Sequence, residues 1–441
     1  MYTSFIGQKF LAAWNAKEKK ALSAKEFFDE VMFPIFFDDE RHLMHVHGSA
    51  FFQKVAEKDK LSGQSESEIR RQNLHTSVET KQPNGSIFVG YAADGTSATT
   101  SGQVSGLKLN ITKDEIYSSW IGAALAMGVN GGICFLADKE DILFKIFEGW
   151  EWYRKFLTQT PNLKGRQIET WNGQWISHRL NNDTPASFRP IFEEKTDVST
   201  KQKYWAVNTL EWAKLIFAFS KIYPNTQITV YSYNLSQTNT TLGFLNINLP
   251  EVSRFYQLKD KIFFDSKDSI LTHHDIQSLE PYFSIKQAAL SGAIGLRSLE
   301  PKKLREYLPQ KDPKKNKYPN FVKEDSKIQF QIFKLWIYAM LNKTELLDLA
   351  GQVAALLLQF EEAGKDRGKK VNDQLSEEIR SATSLRLFID KLSEVLTIFP
   401  SANETFRKVV DNAVKMPSDH FPLFVTLIRF EYASQKNHQS K

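Results

Sequence analysis

The feature that most limits the folds open to this chain is a change of character across residues 302–323. Before that segment, helical and strand patterns alternate irregularly; after it, only helical patterns occur. Residues 326–341, 344–363, 375–398, 402–415 and 419–434 carry apolar positions at helical spacing, as in Leu346, Leu349, Val353, Leu357 and Phe360. Gly364 supplies a stop signal, the basic run 364–373 reads as a loop, and Ser401-x-x-Glu404 has the form of a capping box. Short links between successive helices favour antiparallel neighbours, so an antiparallel helical bundle is expected over 325–435.

Upstream the pattern is mixed. Residues 3–15 read as a short amphipathic helix, and Ser23 with Glu26 forms a capping box for a second helix that Pro34 should interrupt. Residues 56–83 are polar, show no apolar periodicity and read as a long loop. Ser86–Ala92, Gln227–Tyr233 and Leu242–Leu249 read as strands, and Lys139–Leu157 and Asn208–Ile222 as helices. Pro250 should open a further short helix. The run TWNGQWISHRL at 170–180 reads as a turn, with Asn172-Gly173 as its hairpin signal. The expected class is α+β: an irregular mixed region over 1–300, a basic linker over 301–324, then the bundle.

Within the mixed region, Asn84–Gly132 holds nine of the 21 glycines, with Ser, Thr and Asn packed between them. Glycine is selected where φ is positive or another surface comes close, and short polar side chains hydrogen-bond at low entropic cost. The stretch turns apolar over Tyr117–Val129, like a buried helix behind a polar loop, and Asp114 and Glu115 suit that helix's N-terminus. Ser236–Thr241 is a second polar loop. Asn84, Thr100, Ser101, Gln103, Gln237 and Asn239 are therefore candidates for reading base edges in the minor groove.

The chain's net charge of +6 is matched by one segment. Lys302–Lys323 carries eight basic residues against Glu306 and Asp312. Lys311, Lys314, Lys315 and Lys317 are candidate phosphate contacts, since each such contact releases condensed counterions. The 33 phenylalanines and nine tryptophans exceed what most cores need and leave some rings for stacking on bases or partners. The single cysteine, Cys134, sits in an apolar run, which excludes an internal disulfide and points to inert packing. With no secretory signal and no apolar run of about 18 residues, a soluble cytoplasmic protein is expected, with no membrane partner.

Catalytic signals are sparse. Asp183, Glu193 and Lys195 have the D-x9-E-x-K spacing of a restriction-type nuclease, in which two carboxylates would hold Mg2+ and the lysine would help activate water. A solvated charged loop is the competing reading. His42, His45 and His47 have an H-x-x-H-x-H spacing that could hold a metal on a strand, against which stands a plain helix-to-loop transition. His178, His273 and His274 lack an assignable catalytic partner, and phosphate-loop, dinucleotide and nucleophile-elbow motifs are absent.

In this organisation, an α+β region with glycine-rich polar loops ahead of a helical bundle, the chain resembles the large subunit of type I CRISPR surveillance (Cascade) complexes. The resemblance covers 1–300 and 325–435 as architecture and assigns no individual residue. It implies a prokaryotic defence complex whose subunit inspects DNA, largely from the minor groove, beside guide RNA and other protein subunits. It also implies no cofactor and no catalysis of the subunit's own, cleavage falling to a separate helicase-nuclease. A restriction-type endonuclease and a structural component are the alternatives from other classes.

Overall fold

A computed structural model describes the chain except for residues 45, 47, 61–62, 92–109, 182–183, 236–240, 264–270, 313–314, 321–323, 344, 365–368 and 440–441. The fold is α+β, as expected, and comprises two compact units: residues 1–249 with 284–294, and residues 250–283 with 295–441. Residues 250–283, grouped by sequence with the first part, therefore lie in the same unit as the bundle.

The chain begins with α1 (Tyr2–Glu18) and α2 (Ala24–Phe27), whose Ser23–Glu26 capping box is formed as expected. Pro34 does not stop the helix. A π-helical turn at Phe28–Met32 precedes α3 (Phe33–Phe36), and this wider winding takes up the ring and the missing donor. Residues 56–83, expected as a loop, contain α4 (Glu57–Lys60) and α5 (Glu66–Thr80). Ser65 caps α5, and only Ile69, Leu74 and Val78 are buried along it, too narrow a stripe for periodicity to reveal. Over the described residues 86–91 the chain forms turns rather than the expected strand.

Next comes α6 (Lys113–Ala124), opened by a Thr112–Glu115 capping box and buried at every residue from Ile116 to Ala124. It ends before Val129, because residues 127–129 form β1 (Met127–Val129), which leads to β2 (Ile133–Ala137). The glycines of α1 and α6 meet: a Cβ on Gly7 would lie 1.8 Å from the Ser118 carbonyl oxygen, and one on Gly122 would lie 1.9 Å from that of Thr3.

Helices α7 (Glu140–Gln159) and α8 (Ile168–Asn181) follow. The second corrects the expected turn at 170–180. Asn172 donates to the carbonyls of Ala124 (2.7 Å) and Ala126 (2.8 Å), and a Cβ on Gly173 would meet the Gly128 carbonyl at 2.2 Å. Asn-Gly here serves close packing inside a helix, not a hairpin. Buried Trp150, Trp171 and Trp175 donate their indole N–H groups to the carbonyls of Ala124, Gly149 and Lys145, and Gly149 makes room for the Trp175 ring.

The antiparallel ribbon β3 (Phe192–Thr196) and β4 (Lys203–Val207) precedes α9 (Trp212–Ile222), four residues shorter at its start than expected because residues 208–211 connect it to β4. Then β5 (Gln227–Asn234) and β6 (Thr241–Asn248) form where strands were expected. Pro250 lies in α10 (Leu249–Phe263), a 15-residue helix rather than a short one, and α11 (His273–Gln277) follows in the second unit. The chain returns to the first unit for α12 (Ile285–Leu290) and β7 (Ala293–Ile294). The resulting sheet has the order β1-β2-β5-β6-β7, antiparallel except for β6–β7.

The second unit is the expected helical bundle: α13 (Glu324–Leu341), α14 (Glu345–Ala363), α15 (Lys369–Arg380), α16 (Leu385–Ile398), α17 (Asn403–Val414) and α18 (Phe421–Gln439). Helix α14 is central, packing against α15, α17 and α18. The single helix expected over 375–398 is two, since Ser384 caps a new start at α16. Part of the expected 364–373 loop is helical from Lys369. The Ser401–Glu404 box does not form: a 3-10 turn over Pro400–Ala402 places Ala402 at the N-cap of α17. Among the described residues, no helix is long and apolar enough to cross a membrane.

Candidate nucleic-acid interface

The two polar loops singled out by sequence lie largely outside the described residues, and with them Thr100, Ser101, Gln103, Gln237 and Asn239. Their feet are described. On the near side of residues 92–109, Val89 donates its N–H to Ser119 Oγ of α6 (3.0 Å) and accepts a hydrogen bond from Thr3 Oγ1 of α1 (2.7 Å). Trp120 donates to the Ile87 carbonyl at 2.8 Å. Gly90 takes φ +77 against the Thr3 side chain. The far foot is the capped N-terminus of α6. Asn84 is a turn residue: its side chain donates to Gln82 O and accepts from Ser86 N, so its amide is already engaged.

One turn of α1 links that foot to the two strands that flank the second loop. Tyr2, beside Thr3, stacks obliquely on Tyr231 of β5 (5.0 Å between ring centres) and meets Phe244 of β6 edge-on (5.1 Å). Phe5 stacks on Tyr2 at 5.9 Å, and Tyr231 and Phe244 are cross-strand partners. Alternation along the strands explains the placement. Ile228, Val230 and Ser232 are buried, which turns Gln227, Thr229 and Tyr231 to the opposite face, opposite Asn248, Asn246 and Phe244. Phe5 and Phe244 remain 49% and 61% exposed. The result is a platform of four aromatic rings beside a row of amide side chains, on the strands that flank one polar loop and next to Thr3, which holds the foot of the other. Sequence reasoning missed it; the strand alternation was legible, but the pairing with Tyr2 was not.

The basic segment is held in the second unit. Arg429 of α18, 1% exposed, donates to the carbonyls of Tyr307 (2.8 Å) and Lys317 (2.7 Å) and covers the Tyr318 ring. Asn316 donates to Ser381 Oγ (2.8 Å), and the Tyr318 hydroxyl donates to the Glu377 carboxylate. Tyr307 and residues 316–318 are thus tied to the bundle, unlike a solvated linker. Several cations of the strip are neutralised by neighbours: Lys302 by Glu280, Arg305 by Glu300 and Lys317 by Glu306. Lys303, Lys311 and Lys315 are exposed and form no ion pair among the described residues, while Lys314 lies outside them. A pocket of about 360 Å³ opens beside Lys302 and Lys303, but Asp275, Glu280 and Asp325 line it too, so it does not favour an anion.

The remaining candidates are dispersed. Glu193 and Lys195 share one exposed face of β3 and pair with each other at 2.5 Å, a strand ribbon rather than the charged loop expected; Asp183 lies outside the described residues. His42 is buried, with Nε2 3.2 Å from the Phe51 carbonyl oxygen, and His45 and His47 lie outside the described residues. His178 contacts Thr184 O and Ser187 Oγ, and His273 and His274 lie on α11, where His273 packs on Tyr256. No group of three His, Cys, Asp or Glu among the described residues is arranged to hold a metal. Burial pushes the Cys134 thiol well up, keeping it protonated and inert. The chain matches no protein-family model, no curated protein and no solved structure.

Proposed function

We propose that this chain is a nucleic-acid-recognition subunit of a prokaryotic defence complex, binding DNA and neighbouring protein subunits in the cytoplasm without catalysis of its own. The observation that carries the reading is the platform of Tyr2, Phe5, Tyr231 and Phe244, with Phe5 and Phe244 exposed, on the elements that flank two polar loops. Every base offers a π-face, so such a platform accepts unpaired bases without regard to sequence. Ser101 and Gln103 on one loop, and Gln237 and Asn239 on the other, then supply sequence preference by hydrogen bonding to base edges. Lys303, Lys311 and Lys315 add sequence-independent attraction for phosphates. The resemblance to the large subunit of Cascade complexes supports the same assignment and suggests guide RNA in the assembled particle.

The test is fluorescence anisotropy of the full chain with labelled single-stranded and duplex DNA, with and without magnesium. Phe5→Ala and Phe244→Ala should each weaken single-strand binding by about 1–3 kcal/mol, the usual worth of a base–aromatic stack. Thermal melts should barely move, since both rings are exposed. Undiminished binding by a well-folded Phe5→Ala, Phe244→Ala double variant would refute the platform. Magnesium-dependent cutting abolished by Glu193→Ala would refute the non-catalytic reading.

A further inference from the structure

Elsewhere in the first unit, three basic side chains from separate segments converge. Residues 165–168 lie along residues 41–43: Arg166 donates its N–H to the His42 carbonyl (2.6 Å) and Ile168 donates to Leu43 O (3.2 Å). The approach is tight enough that a Cβ on Gly165 would lie 2.0 Å from the Arg41 carbonyl oxygen. Helix α5 packs on the turn at 50–52 and brings Arg70 to the same place. Phe52 of that turn lies under the Arg166 guanidinium, and the charge interactions agree with the placement. The His42 imidazole is held below its ordinary range by burial and then by Arg70 and Arg166, and Arg166 is likewise lowered by burial and by Arg70.

Among the described residues, Glu66 is the one acid that pairs with either arginine. The Arg166 guanidinium covers the Phe52 ring at 3.8 Å and has no hydrogen-bond acceptor or ion pair among the described residues. Arg70 reaches Glu66 at 3.0 Å, but Glu66 is shared with Lys60, and Arg70 Nε is buried without an acceptor. Arg166 also holds φ at 64°, a left-handed backbone that favours Gly or Asn. An arginine kept in that conformation and stacked on a ring presents a planar fork that no hydrogen-bond acceptor among the described residues occupies.

We propose that Arg166 and Arg70, with His42 behind them, form a binding site for a phosphate group. Arg166 is the exposed contact and makes the bidentate pair, Phe52 fixes its plane, and Arg70 supplies the field from the protein side. The site accepts a phosphodiester of nucleic acid or a free phosphate through the same chemistry. It stands apart from the aromatic platform and does not depend on base stacking.

The experiment uses the full chain with two probes: inorganic phosphate followed by phosphorus NMR, and a labelled oligothymidylate followed by anisotropy, with phosphate as competitor. Arg166→Asn suits the left-handed backbone and removes the charge; Arg70→Gln removes the second charge from a different element. Saturable phosphate binding, weakened roughly tenfold or more by either substitution, is expected. If phosphate also displaces the oligonucleotide, the occupant is a nucleic-acid backbone; if it binds without displacing it, the occupant is a free phosphate compound. Absence of saturable binding, or binding unchanged in folded Arg166→Asn and Arg70→Gln, overturns the proposal.

Discussion

Glu169 shows what a single side chain contributes by its position alone. It lies in the first turn of α8, 4% exposed, and burial pushes its carboxyl from 4.5 up to about 7. A raised folded-state pKa means that the folded state binds the proton more tightly than the unfolded chain. The stability it confers is complete below about pH 4.5 and is lost progressively as pH rises to about 7, roughly 3 kcal/mol in all. Glu169→Gln removes the titration. Its stability relative to the parent should rise by about that amount between pH 4.5 and pH 8, measured by urea denaturation; a constant difference would contradict the assignment. The polar residues of α8 carry the same lesson. Asn172 and Gly173 have the sequence of a turn, yet two carbonyls accept from the Asn172 amide nitrogen and the Gly128 backbone occupies the space of a Cβ. No local pattern distinguishes a glycine that turns the chain from one that admits a neighbour.

At the scale of elements, the contact between α1 and α6 positions the candidate interface. Gly7 and Gly122 let the two backbones approach at Ser118 and Thr3, and Thr3 in turn holds Val89 at the foot of the polar loop. Gly122→Val would force the helices apart. It should destabilise the chain by about 3 kcal/mol or more by overpacking, read as a lowered urea midpoint, and release the loop foot. A wild-type midpoint would show that the helices are not so closely packed. Helix α5 makes a contrasting point. It is polar almost throughout and is held by three buried apolar side chains, a Ser65 cap, and His75, which bridges Asp29 (2.8 Å) and Tyr117 (2.6 Å). Its helicity comes from tertiary contacts that its own sequence does not advertise.

For the whole molecule, the charge excess over 302–323 was plain in the sequence, but which lysines are available for DNA was not. Lys317 is spent on Glu306, whereas Lys303, Lys311 and Lys315 face solvent on a segment tied down by Arg429. Replacing those three by alanine should reduce the slope of log K against log salt for duplex DNA by up to about 0.9 per lost contact, while Lys317→Ala changes it least. An unchanged slope in the triple variant would remove the segment from the DNA-binding surface. The α+β class, the helical bundle, the strands β5 and β6, the capped start of α2 and the buried thiol were all legible along the chain, because these follow from periodicity and local chemistry. The fold brought Tyr2 to Tyr231 and Phe244, laid Arg166 over Phe52, and fastened Tyr307 and residues 316–318 to the bundle. Such sites unite residues distant in the chain, and the backbone approaches and long-range pairings that unite them leave no periodic mark on the segments involved.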